Sequence, residues 1–94
     1  MRNYNDRLYK AWRRKIKERD NYTCRMPNCG MRKRLNVHHI KRWADFPYLR
    51  YEVYNGITLC KKCHNMVTGQ EHLYEKMFTE IVNSTVVKMD DNLI

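Results

Sequence analysis

Residues 54–64 read YNGITLCKKCH, and the fold depends on how that run divides. Gly56 to Cys60 is short, apolar and partly β-branched, which predicts a strand. Cys60 and Cys63 stand two residues apart, the knuckle spacing that brings two thiolates to one cation. From Lys61 onward the pattern predicts a helix that carries Cys63 and His64. Neighbouring residues on a helix lie about 100° apart around its axis, so Cys63 facing a metal would turn His64 toward a different site. The reverse, with His64 replacing Cys63 in a Cys3His set, is the alternative that spacing leaves open.

A second knuckle lies upstream in YTCRMPNCG (22–30), where Cys24 and Cys29 flank the turn residues Pro27 and Asn28. Two close-spaced thiolate pairs can close a tetrahedral site, and zinc prefers four such ligands in structural positions. The short spacings also let backbone amides point at the sulfurs and offset their charge. Between the pairs, RLNVHHI (34–40) predicts a strand antiparallel to 56–60, with Leu35, Val37 and His39 on one face. Adjacent strand residues point to opposite faces, so His38 and His39 should do different work. Residues 41–55 read as a long ordered loop, and such loops in small domains are more often functional than idle. Trp43, Phe46, Tyr48 and Tyr51 are expected to pack that loop rather than stack on bases.

Outside this core, residues 6–19 predict a basic helix whose apolar stripe is Leu8, Trp12 and Ile16, with Tyr9 beside it. Asp20 and Asn21 end it. TGQE (68–71) fits a capping box with Thr68 as N-cap and Glu71 at the third helical position. The helix that follows would run from about 70 to 82 on a stripe of Leu73, Met77 and Ile81. Residues 83–94 read as a tail, in which STVV could add an edge strand. No repeat or second domain is visible in 1–94.

The chain has 94 residues, of which 43% are hydrophobic and seven are tyrosine. A core so modest calls for a staple, and the four cysteines are the place for it. Net charge is +9, and it is uneven: residues 1–50 hold 15 Lys and Arg against 4 Asp and Glu. That imbalance favours a polyanion, above all nucleic acid, as partner. No long apolar amphipathic face accompanies the charge, which disfavours a membrane surface. The first twenty residues lack the apolar run of a signal peptide, and no stretch is long enough to span a membrane. The expectation is an intracellular protein, where paired cysteines point to metal rather than disulfide.

Taken together, RDNYTCR…CG, LNVHHI, YNGITLCKKCH and TGQE, over about 20–71, resemble the HNH or ββα-metal nucleases. The likeness is closest to small HNH proteins of phages and prophages. The resemblance implies a small α+β fold with a treble-clef-like ββα-metal core over about 22–69. That core would hold a two-stranded antiparallel hairpin, a helix and a structural zinc on Cys24, Cys29, Cys60 and Cys63, flanked by the N- and C-terminal helices. It also implies an endonuclease that hydrolyses DNA. His38 and His64 would hold a catalytic Mg²⁺, Mn²⁺, Ni²⁺ or Zn²⁺ ion, His39 would be the general base, and Asn55 would brace the loop that orients it. Many relatives carry a third histidine where this chain has Thr68; His72, two turns past His64, reads as a surface or capping residue. A homodimer or a packaging terminase is the protein partner that the likeness implies, in the cytoplasm of a bacterial host.

The chemistry agrees with that likeness. Phosphodiester hydrolysis needs a base for water and a cation for the developing charge, and the histidine pKa lies near neutrality. Two imidazoles suit a borderline transition metal more than Mg²⁺. The expected phosphate contacts are Arg32, Lys33, Arg34, Lys41 and Arg42 around the histidine strand, then Lys61 and Lys62, then Arg13 and Arg14. The alternative function is a non-catalytic, zinc-stabilised module that binds nucleic acid.

Overall fold

The computed structural model describes residues 6–93, and the side chains of 6–85. The order is α1 (Arg7–Arg19), β1 (Leu35–His39), β2 (Gly56–Cys60), α2 (Lys61–Val67) and α3 (Glu71–Leu93), with 3-10 turns at Pro47–Leu49 and Val53–Asn55 between the strands. This is the small α+β arrangement that the sequence predicts. Among the described residues, no helix is long and apolar enough to cross a membrane.

The hairpin sets the layout. β1 and β2 pair antiparallel, from Leu35 opposite Cys60 to His39 opposite Gly56. Alternation then divides the side chains. Val37, with its neighbours Tyr9, Trp12 and Ile16, forms one cluster beneath α1. Ile57 and Leu59 join Cys24, Cys60, Cys63, Val67, Phe78 and Val82 in a second cluster on the α2 and α3 side. The sheet is thus covered on both faces, which explains why every residue of β2 is buried.

α1 begins at Asp6, whose carboxylate accepts a hydrogen bond from the Leu8 N–H at 2.7 Å. Its buried residues are Tyr9, Trp12 and Ile16. Leu8, predicted for the stripe, is instead 63% exposed. Leu8 and Ile16 lie about 80° apart around the axis, whereas Tyr9, Trp12 and Ile16 fit within about 60°.

Close packing of α1 explains Gly56. Its backbone is extended, with φ −134° and ψ 152°, so Asn55-Gly56 is not a turn that requires glycine. A Cβ there would lie 2.2 Å from Ile16 Cδ1 and 2.7 Å from Trp12 Cζ2. Gly56→Ala should therefore lower stability by about 1–3 kcal/mol through overpacking. An unchanged urea midpoint would show that α1 does not sit this close.

The junction between α1 and β2 is polar and buried. Asp20 accepts from Arg19 Nε and Nη2 at 2.9 and 2.8 Å, from Arg25 Nη1 at 3.0 Å and from the Thr58 N–H at 2.9 Å. Arg19 also donates to the carbonyls of Val53 and Gly56. One carboxylate so ties the helix end, the arm leading to the first knuckle and β2. Removing one partner of a buried pair strands the other charge, so Asp20→Ala should cost about 3–5 kcal/mol. Thermal melts of the purified variant test this, and a Tm equal to that of the parent protein would refute it.

TGQE divides differently from a capping box. The Thr68 N–H and hydroxyl both donate to the His64 carbonyl, at 2.9 and 2.8 Å, and so close α2. Gly69 turns the chain with φ 85°, and its N–H donates to Glu71 Oε2 at 3.1 Å. α3 then packs through Phe78 and Val82, with Tyr74, Met77 and Ile81 partly buried, while the predicted Leu73 is 65% exposed. It continues to Leu93, where the sequence predicts an end near 82 and a tail or edge strand over 83–94. Ile94 lies outside the described residues.

Candidate active site

Strand alternation places the two adjacent histidines on different faces. His38 points to the α2 and α3 side, its ring centre 6.0 Å from that of His64 and 5.7 Å from that of Phe78. His39 points to the α1 side and stacks on Trp12 with ring centres 4.0 Å apart and planes at 14°. Trp43 meets the same imidazole edge-on at 5.4 Å. Nevertheless His38, His39 and His64 all line one cleft of about 360 Å³, with Val37, Arg42, Trp43, Ala44, Thr68 and Glu71. A two-stranded sheet leaves β1 with no strand on its other side, and space there is reachable from both faces.

The His39 tautomer follows from its partner. Nε2 lies 2.9 Å from the Arg50 carbonyl oxygen, which can only accept. Nε2 therefore carries the proton, and in the neutral ring Nδ1 carries the lone pair. Asn55 secures the segment that presents this carbonyl. Its Nδ2 donates to the carbonyls of Leu49 and Lys41, each at 3.2 Å, and its Oδ1 accepts from the Lys41 N–H at 2.8 Å. Arg50 is itself held by a bond from Nε to the Trp43 carbonyl and by stacking over the Trp43 ring.

His38 is suited to a different task. Burial, reinforced by nearby His64, pushes its imidazole down to about 4. At neutral pH it offers a lone pair rather than a charge. An ion about 2.1 Å from one nitrogen of each ring would set the ring centres about 5 Å apart, so the 6.0 Å between the centres of His38 and His64 is wider than that by about 1 Å. Glu71, across the cleft, has its carboxyl held below the usual range by its own N–H and that of Gly69.

The cysteines form a separate cluster. The sulfurs of Cys24, Cys29, Cys60 and Cys63 all lie within 4.8 Å of one another, with none in a disulfide. Cys29 Sγ and Cys60 Sγ are 3.8 Å apart. Tetrahedral coordination with zinc–sulfur bonds of 2.3 Å requires a sulfur separation of about 3.8 Å. The Cys63 N–H holds the Cys60 thiol down to about 7, while burial pushes the thiols of Cys24 and Cys63 up. A divalent cation is what allows four sulfurs in this space to be thiolates together. Cys63 places its sulfur in this cluster while His64 lines the cleft, so the group that could hold a metal here is one of four cysteines.

Residues 24–70, half of the chain, match the family model described as HNH endonuclease. The chain belongs to the HNH endonuclease family. Comparison with curated proteins and with solved structures gives no match. The HNH match runs from Cys24 to Gln70, so α1 and the whole of α3 lie outside it.

Around the HNH cleft the predicted cationic residues fall into three groups. Lys33, Arg34, Lys61 and Lys62 line a groove beside Cys60, and Arg32 is exposed next to them. Arg42 lines the histidine cleft and lies 3.5 Å from Asp45, whereas Lys41 is paired with Glu75. On α1, Arg14 pairs with Glu18 at 3.6 Å and Arg13 lies over the Tyr9 ring. Trp43 packs the loop as expected, but Tyr48 is exposed at its tip. His72 is not among the cleft residues. Sequence reasoning missed the Trp12 platform, the Arg50 carbonyl and the place of Glu71 in the cleft. Only Glu71 carried a signal, and that signal read as a helix cap.

Proposed function

We propose that this protein is a metal-dependent DNA endonuclease in which His39 is the general base and His38 with His64 holds the catalytic ion. The observation that carries the reading is the convergence of three histidines, from both faces of the hairpin and from α2, on one cleft. A divalent ion bound there supplies Lewis-acid stabilisation of charge on the phosphate and on the leaving oxygen. His39 takes the proton of the attacking water at Nδ1, since Nε2–H is committed to the Arg50 carbonyl. That carbonyl and the stacked Trp12 face both favour the imidazolium that forms. Asn55 keeps the tautomer by fixing the Leu49–Arg50 segment. The products carry 5′-phosphate and 3′-hydroxyl ends.

The cysteine cluster binds a structural zinc ion. Arg42 orients the scissile phosphate from within the cleft. Arg32, Lys33, Arg34, Lys61 and Lys62 contact the backbone further along the duplex, with Lys41, Arg13 and Arg14 as weaker contributors because each already has a partner.

The test is incubation of the purified protein with supercoiled plasmid in Mg²⁺, Mn²⁺ or Ni²⁺. Relaxed or linear product is expected with at least one ion, and none after chelation. A folded, DNA-binding protein that cuts with no ion would instead be a zinc-stabilised binding module.

A further inference from the structure

Two imidazoles leave most positions of a divalent ion filled by water, and they supply no negative charge. In a protein of net charge +9, a cleft with Arg42 on its wall disfavours a cation unless an anion faces it. Thr68 holds the position where a further ligand could come from α2, and it is uncharged. Its hydroxyl proton is already given to the His64 carbonyl. One residue in the cleft supplies the missing charge.

Among the described residues, Glu71 is the sole carboxylate lining the space shared by His38 and His64. Its Oε2 accepts from the Gly69 N–H at 3.1 Å, which fixes the side chain at the start of α3 without neutralising it. No salt bridge within 4.0 Å joins it to a cation among the described residues. Its oxygens and the two imidazoles do not form a cluster as tight as that of the cysteines, so a direct bond to an ion held by both rings is not what this geometry favours.

We propose that Glu71 is the outer-sphere carboxylate of the catalytic ion, facing the His38–His64 pair and accepting hydrogen bonds from the ion's hydration shell. The proposal rests on the reading of His38 and His64 as the ion's ligands. Glu71 is a positioning residue here: it raises the occupancy of the site and orients the shell, without touching the phosphate.

The experiment is a Mn²⁺ titration of the zinc-loaded protein, followed by electron paramagnetic resonance of the free ion, for the parent, Glu71→Gln and His64→Ala. Gln keeps the oxygen that caps Gly69 and loses only the charge, so the melting temperature should stay within a few degrees. Loss of an outer-sphere partner weakens metal binding by about 10–100-fold, and Glu71→Gln should fall in that range. Plasmid nicking by this variant should return toward the parent rate at saturating Mn²⁺, because the defect is in occupancy. A Mn²⁺ affinity unchanged by Glu71→Gln would overturn the proposal and leave Glu71 a cap. An affinity unchanged by His64→Ala would overturn the underlying ligand assignment, and this proposal with it. Should Glu71→Gln fold poorly, Glu71→Ser, which removes the charge but keeps a hydroxyl able to cap the start of α3, takes its place; a Mn²⁺ affinity equal to that of the parent would then overturn the proposal.

Discussion

Cys24→Ser, or prolonged chelation of the parent protein, should unfold the chain rather than merely loosen it. Cys24, Cys60 and Cys63 are members of the same buried cluster as Ile57, Leu59, Phe78 and Val82, so the proposed zinc site is part of the core. Structural zinc contributes an apparent binding free energy of about 10–16 kcal/mol, while whole domains are stable by only about 5–15 kcal/mol. A core built from so few large residues leaves no margin for the loss. Elemental analysis should find about one zinc ion per chain for four thiolates. Circular dichroism should show helix lost on chelation and regained when zinc returns. A metal-free protein with an undiminished melting transition would remove zinc from the account of stability.

His39→Ala should have the opposite signature. Nicking should fall by about 10²–10⁴-fold, the usual contribution of a positioned general base, while the fold and Mn²⁺ binding persist. The side chain stacks on Trp12 and meets Trp43 edge-on, so its removal leaves a hole but no stranded charge. Single-turnover nicking at saturating metal reads the chemical step directly. His39→Gln is the sharper companion, since its amide can donate to the Arg50 carbonyl yet cannot take up a proton near neutral pH. If either variant nicks at the parent rate, the base lies elsewhere and the assignment falls. His38→Ala should differ from both by weakening the ion rather than the proton transfer.

Much of the hairpin was legible because strands follow a strict period of two. GITLC and the run through NVHHI pair as expected, and His38 and His39 take opposite faces. The helices were legible in position but less so in face. At 100° per residue, Leu8 and Tyr9 both neighbour the Trp12–Ile16 stripe, and only contact with the sheet selects Tyr9. The same degeneracy misplaced Leu73 on α3. TGQE was misread because Thr at a helix boundary can serve either end: its hydroxyl accepts in an N-cap but here donates to the carbonyl of His64. The hub around Asp20 and the stack of Trp12 on His39 leave no local pattern, because they join residues that only the tertiary fold brings together.

The stacking partner of His39 has one more implication. Residues 24–70, which match the family model, include His38, His39, Asn55 and His64, yet Trp12 and Tyr9, which wall in the His39 imidazole, come from α1. Arg19, from the same helix, also clamps the carbonyls of Val53 and Gly56 on either side of Asn55. In this chain the motif is therefore not a portable cassette. A graft of 24–70 into another scaffold would carry the chemistry's vocabulary and leave behind the hand that holds it steady.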